Sequence, residues 1–446
     1  YFDRIEHEIF SFIKIIKILF MSRVILIMPA RVQITLAFLC IFNLRLTLNF
    51  NNITFYNEYI NTDLISISLI LLSLWILVLI KLSQFNSKFV KSLFFIFVIL
   101  NLRLMFSFSS NRILLFYLFF EWSLIPIFFI IIGWGYQIER LKSRFYLLMY
   151  TLFASLPLLI IILTIKKFIY TLNINYLIYC QTLTINNVLI IFTFLAFLVK
   201  FPIFFFHQWL PKAHVEAPVG GSIILAGLLL KLGGYGIIRL LSFVKISYII
   251  KFILMFSLIG GRLLRVLCLI NRDMKVIIAY SSVVHIAIII VTVFLKNLWS
   301  LNGSIIIIVA HGVCSSGIFS CANIIYERTH SRIIMINKSN LNYSPRLAIF
   351  WFLLCIANFG GPFTYNLLGE IVLIIRLRSI RYYLLRFIFI ISFFSAAYRI
   401  ILYSNLQQGI NNNLILSLNL FTAREIIILV CHLWPLLIIL VNPILI

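Results

Sequence analysis

Six ionisable residues sit inside long apolar runs of this sequence: Glu121 in LLFYLFFEWSLIP, Lys200 in LVKFP, Lys231 in LLKLGGYG, His285 in AYSSVVHIA, His311 in AHGVCSSG and Glu370 in NLLGE. A charge at the centre of an apolar helix costs about 3 kcal/mol on membrane-insertion scales, so each of these needs a partner, water or a function. Carboxylates, amines and imidazoles can each hold a proton and give it up. Lys200 precedes Pro202, whose missing N–H and bulky ring free carbonyls one turn earlier. A lysine there can exchange hydrogen bonds between those carbonyls, water and a carboxylate. Burial disfavours its ammonium and a nearby carboxylate favours it, so moving the carboxylate makes the lysine bind or release a proton. That is the simplest unit of a proton pump. Imidazoles both donate and accept, which suits His285 and His311, each near serines, to a hydrated relay. The plainer alternatives are a protonated or structurally paired Glu121, a Lys200 that snorkels to the interface, and histidines that are merely satisfied core residues.

His207, Lys212, His214 and Glu216 follow the proline break in HQWLPKAHVEAP. We read His207, His214 and Glu216 as a secondary proton path, a polar mouth for protons arriving from the face of the basic loops. A metal site made of the same three residues is the competing reading. It lacks a further ligand, and Pro211 and Pro218 are expected to prevent one regular helix face.

The elements that position these residues must be membrane helices. Of 446 residues, 63% are hydrophobic and 11% charged, and the mean hydropathy is +1.12; soluble domains do not reach such values. The apolar runs are continuous and not alternating, which excludes a β-barrel. At roughly 20 residues per span the length accommodates about fourteen helices. The opening YFDRIEHEIF carries too many charges for a secretory h-region, so no cleavable signal or transit peptide is expected. The cysteines Cys40, Cys180, Cys268, Cys314, Cys321, Cys355 and Cys431 form no C-x-x-C and no cluster with histidine, which leaves metal, iron–sulfur and dithiol chemistry in this chain without support. Abundant Phe with scarce Gly and Pro is the usage expected of AT-rich codons and hints at an organelle genome. A formal charge of +25 would suggest nucleic acid in a soluble protein. Here the cations can serve orientation and anionic lipid such as cardiolipin, and no nucleic-acid partner is expected.

Apolar runs predict spans near 10 to 29, 34 to 48, 63 to 83, 91 to 108, 113 to 132, 145 to 165, 187 to 207, 220 to 242, 248 to 270, 275 to 295, 303 to 325, 346 to 375, 383 to 403 and 426 to 446. The connections 81–91, 137–144, 271–275 and 326–338 are basic and fall at alternate loops, so they should share one face. Two spans look interrupted, the seventh at Lys200-Phe201-Pro202 and the twelfth at NFGGPFTYNLLGE, residues 358–370. In secondary transporters, broken helices at equivalent places of inverted repeats mark an ion path near the midplane. The two breaks lie five spans apart, and an odd repeat unit would invert the second copy.

HQWLPKAHVEAP (207–218), LLKLGGYG (229–236), AYSSVVHIA (279–287), AHGVCSSG (310–317), YERTHSR (326–332) and NLLGE (366–370) together closely resemble the subunit 4 family of mitochondrial NADH dehydrogenase (ubiquinone), antiporter-like subunits of respiratory complex I. FEWSLIP, GWGYQIER and YTLFASLPLL extend the resemblance, which runs from about Leu64 to the C-terminus. It implies an all-α polytopic membrane protein of fourteen helices with two inverted five-helix repeats. Residues 1–90 would then hold N-terminal helices, 91–242 the first repeat, 243–403 the second, and 404–446 a C-terminal loop and helix. It also implies that Glu121 pairs with Lys200, and that Lys231 links through His285, His311 and water to Glu370. The implied location is the mitochondrial inner membrane, among the other membrane-arm subunits. This chain would bind no cofactor; NAD, FMN, iron–sulfur clusters and ubiquinone would belong to partner subunits. An independent cation/proton antiporter subunit and a structural scaffold are the alternatives.

Arg112, Arg265, Arg376, Arg381 and Arg399 stand where the family usually has a small or hydroxyl residue. Deep arginines are costly and no surplus of acids exists to pair them. Some are expected to be serines in the natural protein, because AGA and AGG specify serine in many invertebrate mitochondria. The alternative is that these cations lie at interfaces or bind lipid.

Overall fold

A computed structural model describes residues 55–56, 59–84, 89–137, 139–179, 187–242, 244, 248–380, 382–409 and 421–438. The spans expected near 10 to 29 and 34 to 48, Arg381, and the side chain of Arg376 lie outside the described residues.

The continuous apolar runs form helices because, without water to bond, the backbone must satisfy itself within each segment. In chain order these are α1 (Leu64–Ser83), α2 (Val90–Ser109), α3 (Ile113–Trp122), α4 (Leu124–Trp134), α5 (Arg140–Ile169), α6 (Ile174–Tyr179), α7 (Asn187–Lys200), α8 (Trp209–Glu216), α9 (Val219–Ile224), a π segment (Leu225–Leu229), α10 (Leu230–Leu241), α11 (Tyr248–Ile270), α12 (Met274–Phe294), α13 (Leu298–Thr329), α14 (Asn340–Tyr343), α15 (Pro345–Asn358), α16 (Tyr365–Ile380), α17 (Tyr382–Gln407) and α18 (Ala423–Ile438). Among the described residues nine helical stretches are long and apolar enough to cross a membrane. Leu189–Lys200, Pro345–Asn358 and Tyr365–Ile375 are shorter apolar helices; they are the halves that the two breaks leave. A two-residue antiparallel pair, β1 (Phe55–Tyr56) with β2 (Asn61–Thr62), departs from the all-helical expectation.

Three spans form the centre. Their most apolar windows, in Val219–Leu241, Met274–Phe294 and Leu298–Thr329, are 94%, 89% and 89% buried, against 33–56% in the six others. The basic connections gather at one end, as expected. Tyr136 packs on Tyr326 with ring centroids 5.1 Å apart, Met274 N–H donates to Arg332 O, and Gln84 lies against Gly220. At the opposite end Ile113 N–H donates to Leu172 O and Arg239 pairs with Asp63. The two interrupted helices therefore run in opposite directions: α7–α8 ends at the basic-loop end and α15–α16 starts there.

Candidate proton-handling site

Each break has a proline as its local cause and a buried side chain that repairs it. At the first, Ile203 N–H takes the Leu198 carbonyl that Pro202 cannot reach, at 3.1 Å, and the Trp209 indole donates to Val199 O at 3.0 Å. The freed carbonyls are thus occupied by Ile203 and Trp209, and Lys200 turns elsewhere. Its Nζ donates to Phe120 O at 2.6 Å, lies over the Phe120 ring, and is 3.8 Å from Glu121 Oε1. The same carbonyl accepts from the Ser123 hydroxyl at 2.7 Å, beside an unforeseen one-residue interruption between α3 and α4 at Ser123. Pro126 removes the N–H that would bond Trp122 O, and Arg103 Nη1 donates there instead at 2.6 Å.

At the second break, Gly361 N–H bonds Ile356 O at 3.0 Å and the Asn366 amide donates to Ala357 O at 2.7 Å. Gly360 has a φ of +72°, a left-handed turn that glycine adopts without strain. A Cβ there would sit 3.0 Å from Glu370 Oε2, so the glycine also leaves room for the carboxylate. No hydrogen bond or ion pair joins Glu370 to His285 or His311 among the described residues. The charges of Arg399 and Arg265 act on it.

Between the breaks lies Lys231, 2% exposed, just beyond the π segment. Its Nζ donates to Ala226 O at 2.5 Å and lies 3.2 Å from His311 Nδ1. The rings of His311 and His285 are 5.1 Å apart, and His285 Nε2 contacts an Arg399 Nη. The nearby hydroxyls of Ser281, Ser282 and Ser315 bond carbonyls of their own helices and not the imidazoles. Gly233 brings α10 against α7, since a Cβ there would fall 2.6 Å from Phe201 Cβ. The side chains thus form a Glu121–Lys200 pair and a Lys231–His311–His285–Arg399 row, with Glu370 at the second break.

A family model described as NADH:quinone oxidoreductase/Mrp antiporter, TM, matches residues 110–395. The chain is 44% identical to NADH-ubiquinone oxidoreductase chain 4 of Ceratitis capitata over 400 residues, 87% of each chain. The chain belongs to the NADH-ubiquinone oxidoreductase chain 4 family. Another chain 4, from Aedes aegypti, is 49% identical over 325 residues, 72% of each chain. A structure of respiratory complex I from Thermus thermophilus with bound NADH contains a chain of the same fold, with TM-score 0.78 at 22% identity, covering 86% of this chain and 82% of that one.

In this member of the chain 4 family, the segment after the first break differs from expectation. Pro211 falls in the first turn of the regular helix α8, where a missing N–H costs nothing, so it does not disrupt a helix face. His207 precedes that helix, stacked on Phe204 and facing Tyr280, apart from His214 and Glu216. His214 is fully buried and stacked on Phe319 at 4.5 Å. Glu216 Oε1 lies 3.5 Å from Arg332 Nη1. Beside them is Lys275, which the sequence places in the basic connection 271–275 and which is 2% exposed. Its position at the start of an apolar helix, four residues before AYSSVVHIA, was the available signal. Arg112 caps α3 at the end of the bundle with its guanidinium over the Tyr59 ring, so it is not deep in an apolar helix. Arg265 and Arg399 are, at 1% and 2% exposure.

Proposed function

We propose that this chain translocates protons as a membrane-arm subunit of NADH-ubiquinone oxidoreductase. The observation that carries this is a buried Lys200 held 3.8 Å from Glu121 at a broken helix, with a Lys231–His311–His285 row on the neighbouring central helices. At 4 Å and an effective dielectric near 20, opposite unit charges attract by roughly 4 kcal/mol. Drawing Glu121 away removes that attraction, and Lys200, still buried, then releases its proton. The proton passes to Lys231, its N–H bond breaking as a new one forms, and on through the imidazoles to Glu370. Returning Glu121 restores the first pair. On this reading ubiquinone reduction in partner subunits supplies the displacement, and NAD, FMN, iron–sulfur clusters and ubiquinone are bound there. The chain itself is a multi-pass protein of the mitochondrial inner membrane, within an enzyme complex and without a redox centre of its own; cardiolipin is its expected lipid.

Two inverted five-helix repeats, in residues 91–242 and 243–403, within about fourteen helices, are part of the same proposal. What supports them is the opposite direction of the two interrupted helices. An independent cation/proton antiporter would share the buried charges. Co-isolation with NADH-oxidising subunits is the test: recovery in one particle is expected, and recovery of this chain alone with retained cation exchange would contradict the proposal.

A further inference from the structure

The basic-loop end of the first broken helix holds a second cluster of buried ionisable groups, which the path above does not use. Lys275, at the start of α12, has no hydrogen-bond partner for Nζ among the described residues. It lies 5.3 Å and 5.5 Å from the ring centroids of Tyr136 and Tyr326. Burial pushes the Tyr136 phenol up to about 12, so this ring stays neutral and offers Lys275 only its π face. The charges of Arg332 and Glu216 act on Lys275, and that of Glu327 acts on the neighbouring Tyr136. Arg332 occupies Oε1 of Glu216, and Oε2 is unpartnered among the described residues. Lys275 forms no ion pair with a carboxylate among the described residues, so its charge is left without a direct partner in a buried site. Arginine does not give up a proton in proteins and lysine does, so of the two cations only Lys275 can lose its charge.

His214, on α8, stands where such a proton could go. Neither ring nitrogen has a hydrogen-bond partner among the described residues, although the residue is fully buried, and buried polar atoms are normally partnered. The helix that carries Lys275, α12, packs against both α8, which carries His214, and α10, which carries Lys231, and the charges of both lysines act on this imidazole.

We propose that Lys275 is a proton-loading residue that takes protons at the basic-loop end and passes them through His214 to Lys231. This rests on Lys231 carrying protons as proposed above. In the first transfer an N–H bond of the Lys275 ammonium breaks and one forms on the His214 ring. In the second the imidazolium gives its other N–H proton to the Lys231 amine. The neutral Lys275 amine then takes a proton from water at the basic-loop end. Arg332 keeps its charge throughout and holds Glu216 in place.

The test uses the assembled complex in proteoliposomes, with protons translocated per NADH oxidised as the readout. Lys275→Arg keeps the charge and removes the transferable proton. It is expected to lower the ratio, though by less than Lys231→Gln does, because Lys200 also supplies Lys231. A wild-type ratio in Lys275→Arg with a lowered one in Lys231→Gln overturns the loading role alone. A wild-type ratio in both overturns the parent proposal too. Should Lys275→Arg not assemble, His214→Gln replaces it, with a lowered ratio supporting the branch and a wild-type ratio overturning it.

Discussion

Lys231 Nζ lies 3.2 Å from His311 Nδ1 while donating to the Ala226 carbonyl of the preceding π segment. The ammonium therefore bridges its own distorted helix and an imidazole on α13. Such π segments recur at functional sites because the extra residue redirects side chains and carbonyls. Lys231→Arg keeps the charge at this junction but cannot deliver a proton to His311. It should leave the complex assembled and depress coupled turnover by at least tenfold, measured as NADH-driven acidification. Near wild-type acidification would remove Lys231 from the path.

The Trp209 indole bonds the Val199 carbonyl beside Lys200. Trp209→Phe keeps an aromatic ring and leaves that carbonyl unsatisfied, at a cost of about 1–3 kcal/mol. The midpoint of thermal inactivation should fall, and turnover should fall with it as the freed carbonyl competes with Phe120 O for Lys200. An unchanged midpoint would mean that the break does not depend on this bond.

Gly233 tests the approach of the two lysine-bearing helices. Gly233→Ala puts a methyl group against Phe201 Cβ, Phe201 N and Phe197 O, and overpacking of this kind costs about 1–3 kcal/mol. Reduced recovery of assembled complex is expected, visible on native gels. Full recovery with normal stability would show that α10 and α7 separate freely.

The buried guanidiniums give a prediction about composition. Arg265 donates to Ile390 O through Nη1, with Nε and Nη2 unpartnered among the described residues, and Arg399 leaves Nε and Nη1 so. Unpaired buried charge is strongly unfavourable, which suits the expectation of serine at these positions. Peptide mass spectrometry of the natural protein should find serine at 399, where a hydroxyl would face His285. Arginine there would refute the expectation for that residue.

The spans that the described residues contain and both proline breaks were legible because each leaves a local mark: an apolar run of the right length, or a proline inside one. The break at Ser123 left a mark too, in Pro126, but the unbroken apolarity around it masked the signal. The π segment reads LAGLL, a composition indistinguishable from ordinary helix. Lys275 was missed because a cation beside NRD looks like a loop charge, and only packing against α8 and α13 buries it. Its neighbour pair Glu216–Arg332 joins residues 116 positions apart, a relation no local pattern can carry. The Glu121–Lys200 and Lys231–His285–His311 groupings came from the family resemblance, not from spacing.

The most direct measurement is the proton-to-electron ratio of the assembled complex in proteoliposomes, with Glu121→Ala and Lys200→Ala compared with wild type. Glu121 and Lys200 are the one carboxylate–amine pair at a helix break that the described residues contain. If their separation drives proton release, both variants assemble largely as wild type does, oxidise NADH, and translocate fewer protons per electron. A wild-type ratio in both would contradict the account.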